Sequence, residues 1–89
     1  MSLKDVSKLA ENEFNFITQN KNLVSEHKFE LVINESEHAL KISVLRLCKQ
    51  EKMLFWRNSI YDKNDDAQIR HVLSSMRFAL ESQFKLKKE

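Results

Sequence analysis

Hydrophobic positions recur at helical spacing at both ends of the chain. In residues 2–19 and again in residues 65–87, apolar residues return every three or four positions, which is typical of one face of an α-helix. Ser2 and Asp5 have the spacing of a capping box, and Phe78 lies outside the second stripe, which indicates another contact surface. The sequence therefore predicts a helix at each end. The two stripes are Val6, Leu9, Ala10, Phe14 and Ile17, and then Ile69, Val72, Leu73, Met76, Leu80 and Phe84.

The middle of the chain, residues 23–61, is too long for one helix in a compact monomer, since it would extend about 58 Å. Asn34 offers an N-cap for a second helix after a break. Beyond it, apolar residues fall on two opposite sides, and a helix with two apolar sides is buried on both. We therefore predict an all-α fold, a three- or four-helix antiparallel bundle completed by dimerisation. The two stripes are Leu40, Val44, Leu47, Leu54 and Phe55, and Ile42, Leu45, Met53, Trp56 and Ile60.

The alternative is an α+β fold with a central hairpin at about 28–47. Two runs of alternating apolar residues, rich in β-branched side chains, flank a polar loop at 34–38. Against the hairpin stand the absence of glycine and the helical continuation through 49–52. The alternating residues are Phe29, Leu31 and Ile33, and Leu40, Ile42 and Val44.

Composition narrows the class of protein. Eighty-nine residues make a single domain, 1–89, and the absence of glycine excludes phosphate loops, nucleophile elbows and kinase signatures. The single cysteine, Cys48, excludes an internal disulfide and is typical of a reducing compartment. There is no apolar run of membrane-spanning length, and residues 1–5 lack the charged-then-apolar order of a secretory signal, so we expect no leader. We expect a cytoplasmic protein without membrane contact.

Candidate chemistry is sparse. Residues 62–73 match a calcium loop at its first, third and fifth positions, but Ala67 replaces the glycine and Leu73 the bidentate glutamate. The segment is better explained as an acidic turn that caps the last helix. His71 and Ser75 are four residues apart, without a carboxylate to orient the imidazole. We predict no catalytic residue, metal site or cofactor, and a protein that is not an enzyme.

Charge is distributed unevenly along the chain. The net charge is +2, with residues 1–38 summing to −3 and residues 39–89 to +5. Such a division lets two chains attract one another, or offers a basic surface to an acidic partner. The alternative function is a nucleic-acid-binding regulator that uses the basic second half, with Lys49, Lys52 and Arg57 as contacts.

An aromatic cluster supports the main functional prediction. On a helix, Phe55 and Trp56 would point about 100° apart, so one core would rarely take both. Tryptophan, tyrosine and arginine are enriched in binding hot spots. We predict a small interaction or regulatory module that acts as a homodimer and can bind a further protein partner. The predicted interface consists of Ile42, Leu45, Met53, Phe55, Trp56, Ile60 and Tyr61.

Overall fold

The computed structural model describes residues 2–88 and has an α+β fold. Strands β2, β3 and β4 form an antiparallel sheet in that order, and β1 pairs with β5 in a second sheet. The all-α helical bundle predicted from the sequence is therefore wrong, and the alternative with a central hairpin is confirmed. The elements are α1 Leu3–Thr18, β1 Leu23–Val24, β2 Lys28–Glu35, β3 Leu40–Cys48, β4 Glu51–Ile60, α2 Asp66–Glu81 and β5 Lys85–Leu86.

Both terminal helices begin at the caps that the sequence predicts. The Asp5 amide donates to Ser2 Oγ at 3.2 Å, and the Ser2 amide donates to Asp5 Oδ2 at 3.1 Å, which closes a capping box. The Ser2 amide and the Ser2 hydroxyl, which donates to Asp5 Oδ2 at 3.0 Å, lower the pKa of the Asp5 carboxyl. At α2, Asp65 Oδ1 accepts from the Gln68 amide at 3.0 Å. The acidic turn thus caps the last helix.

Two turns connect the central strands without glycine. Between β2 and β3, the Ser36 and Ala39 backbones are joined by a 2.9 Å hydrogen bond, and Ser36 Oγ donates to the Ala39 carbonyl at 3.1 Å. Between β3 and β4, Lys49 adopts φ 53°, in the left-handed region that favours glycine. A non-glycine residue occupies that region at a cost of about 1–2 kcal/mol. A strained lysine therefore takes a position that favours glycine in the second turn, whereas the first turn, the loop of the sequence-predicted hairpin, closes through Ser36 and Ala39.

One face of the three-stranded sheet carries the core. Both helices pack on this face, α1 against β2 and β3 and α2 against β4, and the helices also contact each other. The opposite face, called the open face below, has no helix over it. The buried core consists of Val6, Ala10, Phe14, Ile17, Leu40, Ile42, Val44, Ile60, Ile69, Val72, Met76 and Leu80.

The sheet extends past the helices at one end. A sixteen-residue helix is about 24 Å long and a ten-residue strand about 33 Å. Ile60 is fully buried close to the start of α2, whereas residues 51–54 at the other end of β4 are exposed. The strands around the second turn, residues 46–53, therefore project beyond the helical layer, and we call this segment the hairpin arm.

Candidate nucleic-acid interface

Strand pairing aligns a set of polar and basic residues on the open face. Glu30 pairs with Leu45 and Leu45 with Leu54, while Ser43 pairs with Arg57, so these side chains share one side of the sheet. Four of the charged residues on this face are basic and one is acidic, giving it a net charge of +3. The face consists of Lys28, Glu30, Val32, Asn34, Lys41, Ser43, Leu45, Leu47, Lys52, Leu54, Arg57 and Ser59.

The acidic residue of the open face is neutralised locally. Lys52 Nζ lies 2.9 Å from Glu30 Oε2, and this contact reaches from β4 to β2 across the central strand. Both side chains are partly exposed, so the pair contributes less than about 1 kcal/mol to stability. Lys28 and Lys41 are exposed and form no ion pair within residues 2–88. Their charges are available to an external anion.

Arg57 is held in place by a serine beneath it. Its Nε donates to Ser43 Oγ at 3.1 Å, and Ser43 is only 4% exposed because it lies on the central strand. The guanidinium has five N–H donors, of which this bond uses one. Arg57 is exposed overall, so its terminal nitrogens can donate to a ligand on the open face.

The hairpin arm adds further cations. Lys49 is exposed at the turn, and Lys52 follows it on β4. Arg46 pairs in register with Met53, and its Nη2 lies 4.0 Å from Met53 Sδ, a weak contact that leaves the charge unpaired. Arg46 and Leu47 also pair with β2, so the arm is two-stranded only at its tip, residues 48–51. Three basic residues and one acidic residue, Glu51, make the arm basic.

The β1–β5 pairing brings the C-terminal lysines to the same end of the molecule. Lys85 pairs with Val24, and the Lys87 amide donates to the Asn22 carbonyl at 2.8 Å. Phe84 contacts Phe29 at the start of β2, with ring centroids 5.8 Å apart. This basic end contains eight basic and four acidic residues. They are Lys21, Lys28, Arg46, Lys49, Lys52, Lys85, Lys87 and Lys88, and Glu26, Glu30, Glu51 and Glu81.

The opposite end is acidic. It contains the β2–β3 turn, the start of both helices and the loop after β4. The molecule, which is 44 Å long, is therefore basic at one end and acidic at the other, and the acidic end takes its acids equally from both halves of the sequence. This end contains six acidic and three basic residues, namely Asp5, Glu35, Glu37, Asp62, Asp65 and Asp66, and Lys4, Lys41 and Lys63.

The three residues predicted to contact nucleic acid lie on strand β4 and the turn before it rather than on a helix. Lys52 and Arg57 both lie on the open face, and Lys49 lies at the turn that joins β3 to β4. Sequence reasoning missed Lys28, which lies on the same face at the start of β2. The alternation of Lys28, Glu30 and Val32 with apolar residues was the signal that could have placed it.

Of the residues predicted to form a protein interface, the aromatic pair lies on the helix-covered face. The register shifts between Val44 and Leu45, so β4 has one extra residue and both Phe55 and Trp56 point toward the helices. Phe55 meets the Phe29 ring edge-on at 5.3 Å. Trp56 Nε1 donates to a serine of α2 at 3.2 Å. The bulge therefore allows two adjacent aromatic side chains to point toward the same core.

The remaining predicted interface residues are scattered. Ile42 and Ile60 are fully buried in the chain's own core. Leu45 is half-buried on the open face, whereas Met53 and Tyr61 are exposed on the arm and after β4. The structure does not bring these residues into one surface.

The structure does not group the other candidate catalytic and metal-binding residues into a site. His71 is exposed, and the hydroxyl of Ser75 accepts the hydrogen bond from Trp56. Within residues 2–88, no three His, Cys, Asp or Glu side chains are grouped to hold a metal ion, and no helix is long and apolar enough to cross a membrane. Cys48 is a half-buried free thiol at the end of β3.

No family model, curated protein or solved structure matches this chain.

Proposed function

We propose that this protein binds nucleic acid through the open face and the hairpin arm. The observation that carries the proposal is the net charge of +3 on the open face, which continues into the cations of the arm. Contacts to phosphates supply most of the affinity of sequence-independent nucleic-acid binding. An uncovered sheet face with lysine and arginine side chains offers a row of such contacts.

The charge of the open face favours a polyanion over a second copy of the chain. Two open faces packed together would oppose lysines and arginines with one another, and like charges in an interface cost several kcal/mol. The apolar side chains between the cations can contact sugars and thymine methyl groups. They are Val32, Leu45, Leu47 and Leu54.

Double-stranded DNA is the ligand that these features suit best. The major groove of B-DNA admits a two-stranded β-ribbon, and the tip of the hairpin arm, residues 48–51, has that shape. Gln50, at the turn of the arm, carries the amide that pairs with the edge of adenine. Single strands are bound largely by stacking on aromatic side chains. The open face includes no aromatic residue, which argues for a duplex.

A salt series tests the proposal. Fluorescence anisotropy with a labelled duplex of about 20 base pairs is measured between 50 and 200 mM salt. If about four phosphates are neutralised, the affinity falls roughly 100-fold across this range. Replacing Lys49, Lys52 and Arg57 by glutamine should reduce the slope of log K against log salt by about 2–3.

The matched control replaces three basic residues away from this surface, namely Lys4, Lys63 and Arg70, by glutamine. It makes the same change in net charge and should leave the slope within about one unit of the original. Undetectable or salt-independent binding, or equal losses in both triple variants, would overturn the proposal.

Homodimerisation through the sequence-predicted interface and contact with a further protein partner stay predictions. Ile42 and Ile60 are buried in the chain's own core. A partner would have to contact the exposed residues of the predicted interface, such as Met53 and Tyr61.

A further inference from the structure

The outer surface of the two helices carries exposed apolar side chains that the fold does not use. Leu9, Phe16 and Phe78 are 37%, 62% and 78% exposed. They lie away from the buried stripes of α1 and α2, which fill the core under the sheet. We call this surface the helix face.

Two of these side chains share a cleft between the helices, and Phe78 is next in sequence to the arginine that lines it. Leu9 and Phe16 line a shallow cleft of about 280 Å³ together with Arg77, which precedes Phe78 on α2. The Arg77 guanidinium lies 5.6 Å from the centre of the Phe16 ring, and its Nε donates to Glu81 Oε1 at 2.9 Å. Single exposed hydrophobic residues are ordinary, but two phenylalanines on adjacent helices are typical of an interaction surface.

The charges around this patch permit self-association, unlike those of the open face. The two helices together contain four basic and five acidic residues, so the helix face is close to neutral and mixed in sign. Two helix faces can therefore meet without a net repulsion. The open face, at +3, cannot do so.

The polarity of the molecule also specifies an orientation. Both helices run from the acidic end to the basic end, since both lead into the strands of the β1–β5 sheet. If a second copy packs on the helix face in the antiparallel sense, each basic end lies beside an acidic end, and the helix dipoles oppose one another. A parallel arrangement would place the like-charged ends together.

We propose that the helix face binds the helix face of a second copy of this chain, antiparallel, about a two-fold axis. The molecule is 44 × 27 Å across and 16 Å thick, and its two sixteen-residue helices, each about 24 Å long, present the helix face on one of its sides. A chain of this size buries only about 60–65% of its unfolded surface alone, and the second copy covers the exposed phenylalanines. The two open faces then point outward on opposite sides of the dimer.

Light scattering on a size-exclusion column, across a dilution series, tests the interface. The wild type should elute with a dimer mass, and Phe16→Ser with Phe78→Ser should raise the dissociation constant at least tenfold. Both side chains are exposed, so the circular dichroism spectrum of this variant should be unchanged. The control, Leu54→Ser on the open face, should dimerise as the wild type does. A monomeric wild type, or a dimer disrupted by Leu54→Ser but not by the phenylalanine changes, would overturn the proposal.

The orientation is tested by a distance between spin labels at the hairpin turn. Lys49→Cys in a Cys48→Ser background places one label at the basic end of each chain. In the antiparallel dimer, the two labels lie at opposite ends, at a separation comparable to the 44 Å length of the molecule. A separation of less than half that length would show a parallel dimer and contradict the assignment.

Discussion

At the scale of single residues, Lys49 determines how the hairpin arm turns. Its φ of 53° strains a side chain that has a Cβ atom, and glycine would relieve the strain. We predict that Lys49→Gly raises the free energy of unfolding by about 1 kcal/mol, measured by urea denaturation. Gln50→Gly, one residue later, is the control and should not stabilise the protein, because Gln50 has no positive φ. A loss of stability in Lys49→Gly would show that the turn is not strained.

Trp56 acts within the chain, because its indole packs under α2 and donates to Ser75 Oγ at 3.2 Å. We expect Trp56→Ala to lower the free energy of unfolding by about 2–4 kcal/mol, the range for large core truncations, reduced because the residue is half-buried. Tyr61→Ala, at a position 70% exposed, should change it by less than about 0.5 kcal/mol. Equal effects of the two changes in urea denaturation would contradict the packing described.

Glu30 is the acidic residue that weakens the proposed DNA site. Its carboxylate holds Lys52 and adds a negative charge to the open face. Glu30→Gln releases Lys52 for a phosphate and should tighten duplex binding about fivefold near 0.15 M salt. Glu11→Gln makes an equal change in charge at an exposed position of α1, and it should leave the anisotropy titration unchanged. Weaker binding of Glu30→Gln would place the DNA on another surface.

At the scale of elements, the N-terminus of α1 depends on pH through Asp5. Its folded pKa lies below the unfolded value of 3.8, so the ionised cap stabilises the fold above that value and loses this contribution as pH falls through the folded pKa. Wild type should therefore melt at a higher temperature than Asp5→Asn at neutral pH. The difference in Tm should disappear well below pH 3.8. A difference that persists in acid would mean that the charge of Asp5 is irrelevant to the cap.

The terminal helices could be predicted from the sequence because their signals are local. Ser2, Asp5 and Asp65 cap neighbouring backbone groups, and the buried stripes follow the 3.6-residue period. The central strands could not be assigned in the same way. Leu40, Val44 and Leu47 have helical spacing by coincidence. At the register shift opposite Val44, the two-residue alternation of β4 is also interrupted by an extra residue.

At the scale of the whole molecule, only part of the candidate site could be predicted from the sequence. Lys49, Lys52 and Arg57 stood out because charge can be counted locally. Their common surface depends on pairing β4 with β3, which is a non-local property. Lys28 and the ion pair of Glu30 come from a strand that the helical interpretation assigned to no site. Tertiary pairing, rather than composition, creates the open face.

The same long-range pairing gives the molecule its polarity. Lysines from the C-terminus, the arm and β2 meet at one end, and the acidic turns meet at the other. One polarity serves both proposals, since the basic end attracts phosphates and also complements the acidic end of a second chain. The two proposals use opposite faces of the molecule, so each can fail without the other.

The most direct test of DNA binding is a titration of the isotopically labelled protein with an unlabelled duplex, followed by NMR. We predict that the amide shifts change along β2–β4 and at the hairpin arm, with the largest changes near Lys28, Lys49 and Arg57. Residues of the helix face, such as Phe16 and Phe78, should be unaffected by DNA at constant protein concentration. Shifts confined to the helix face, or no shifts at all, would contradict the central claim.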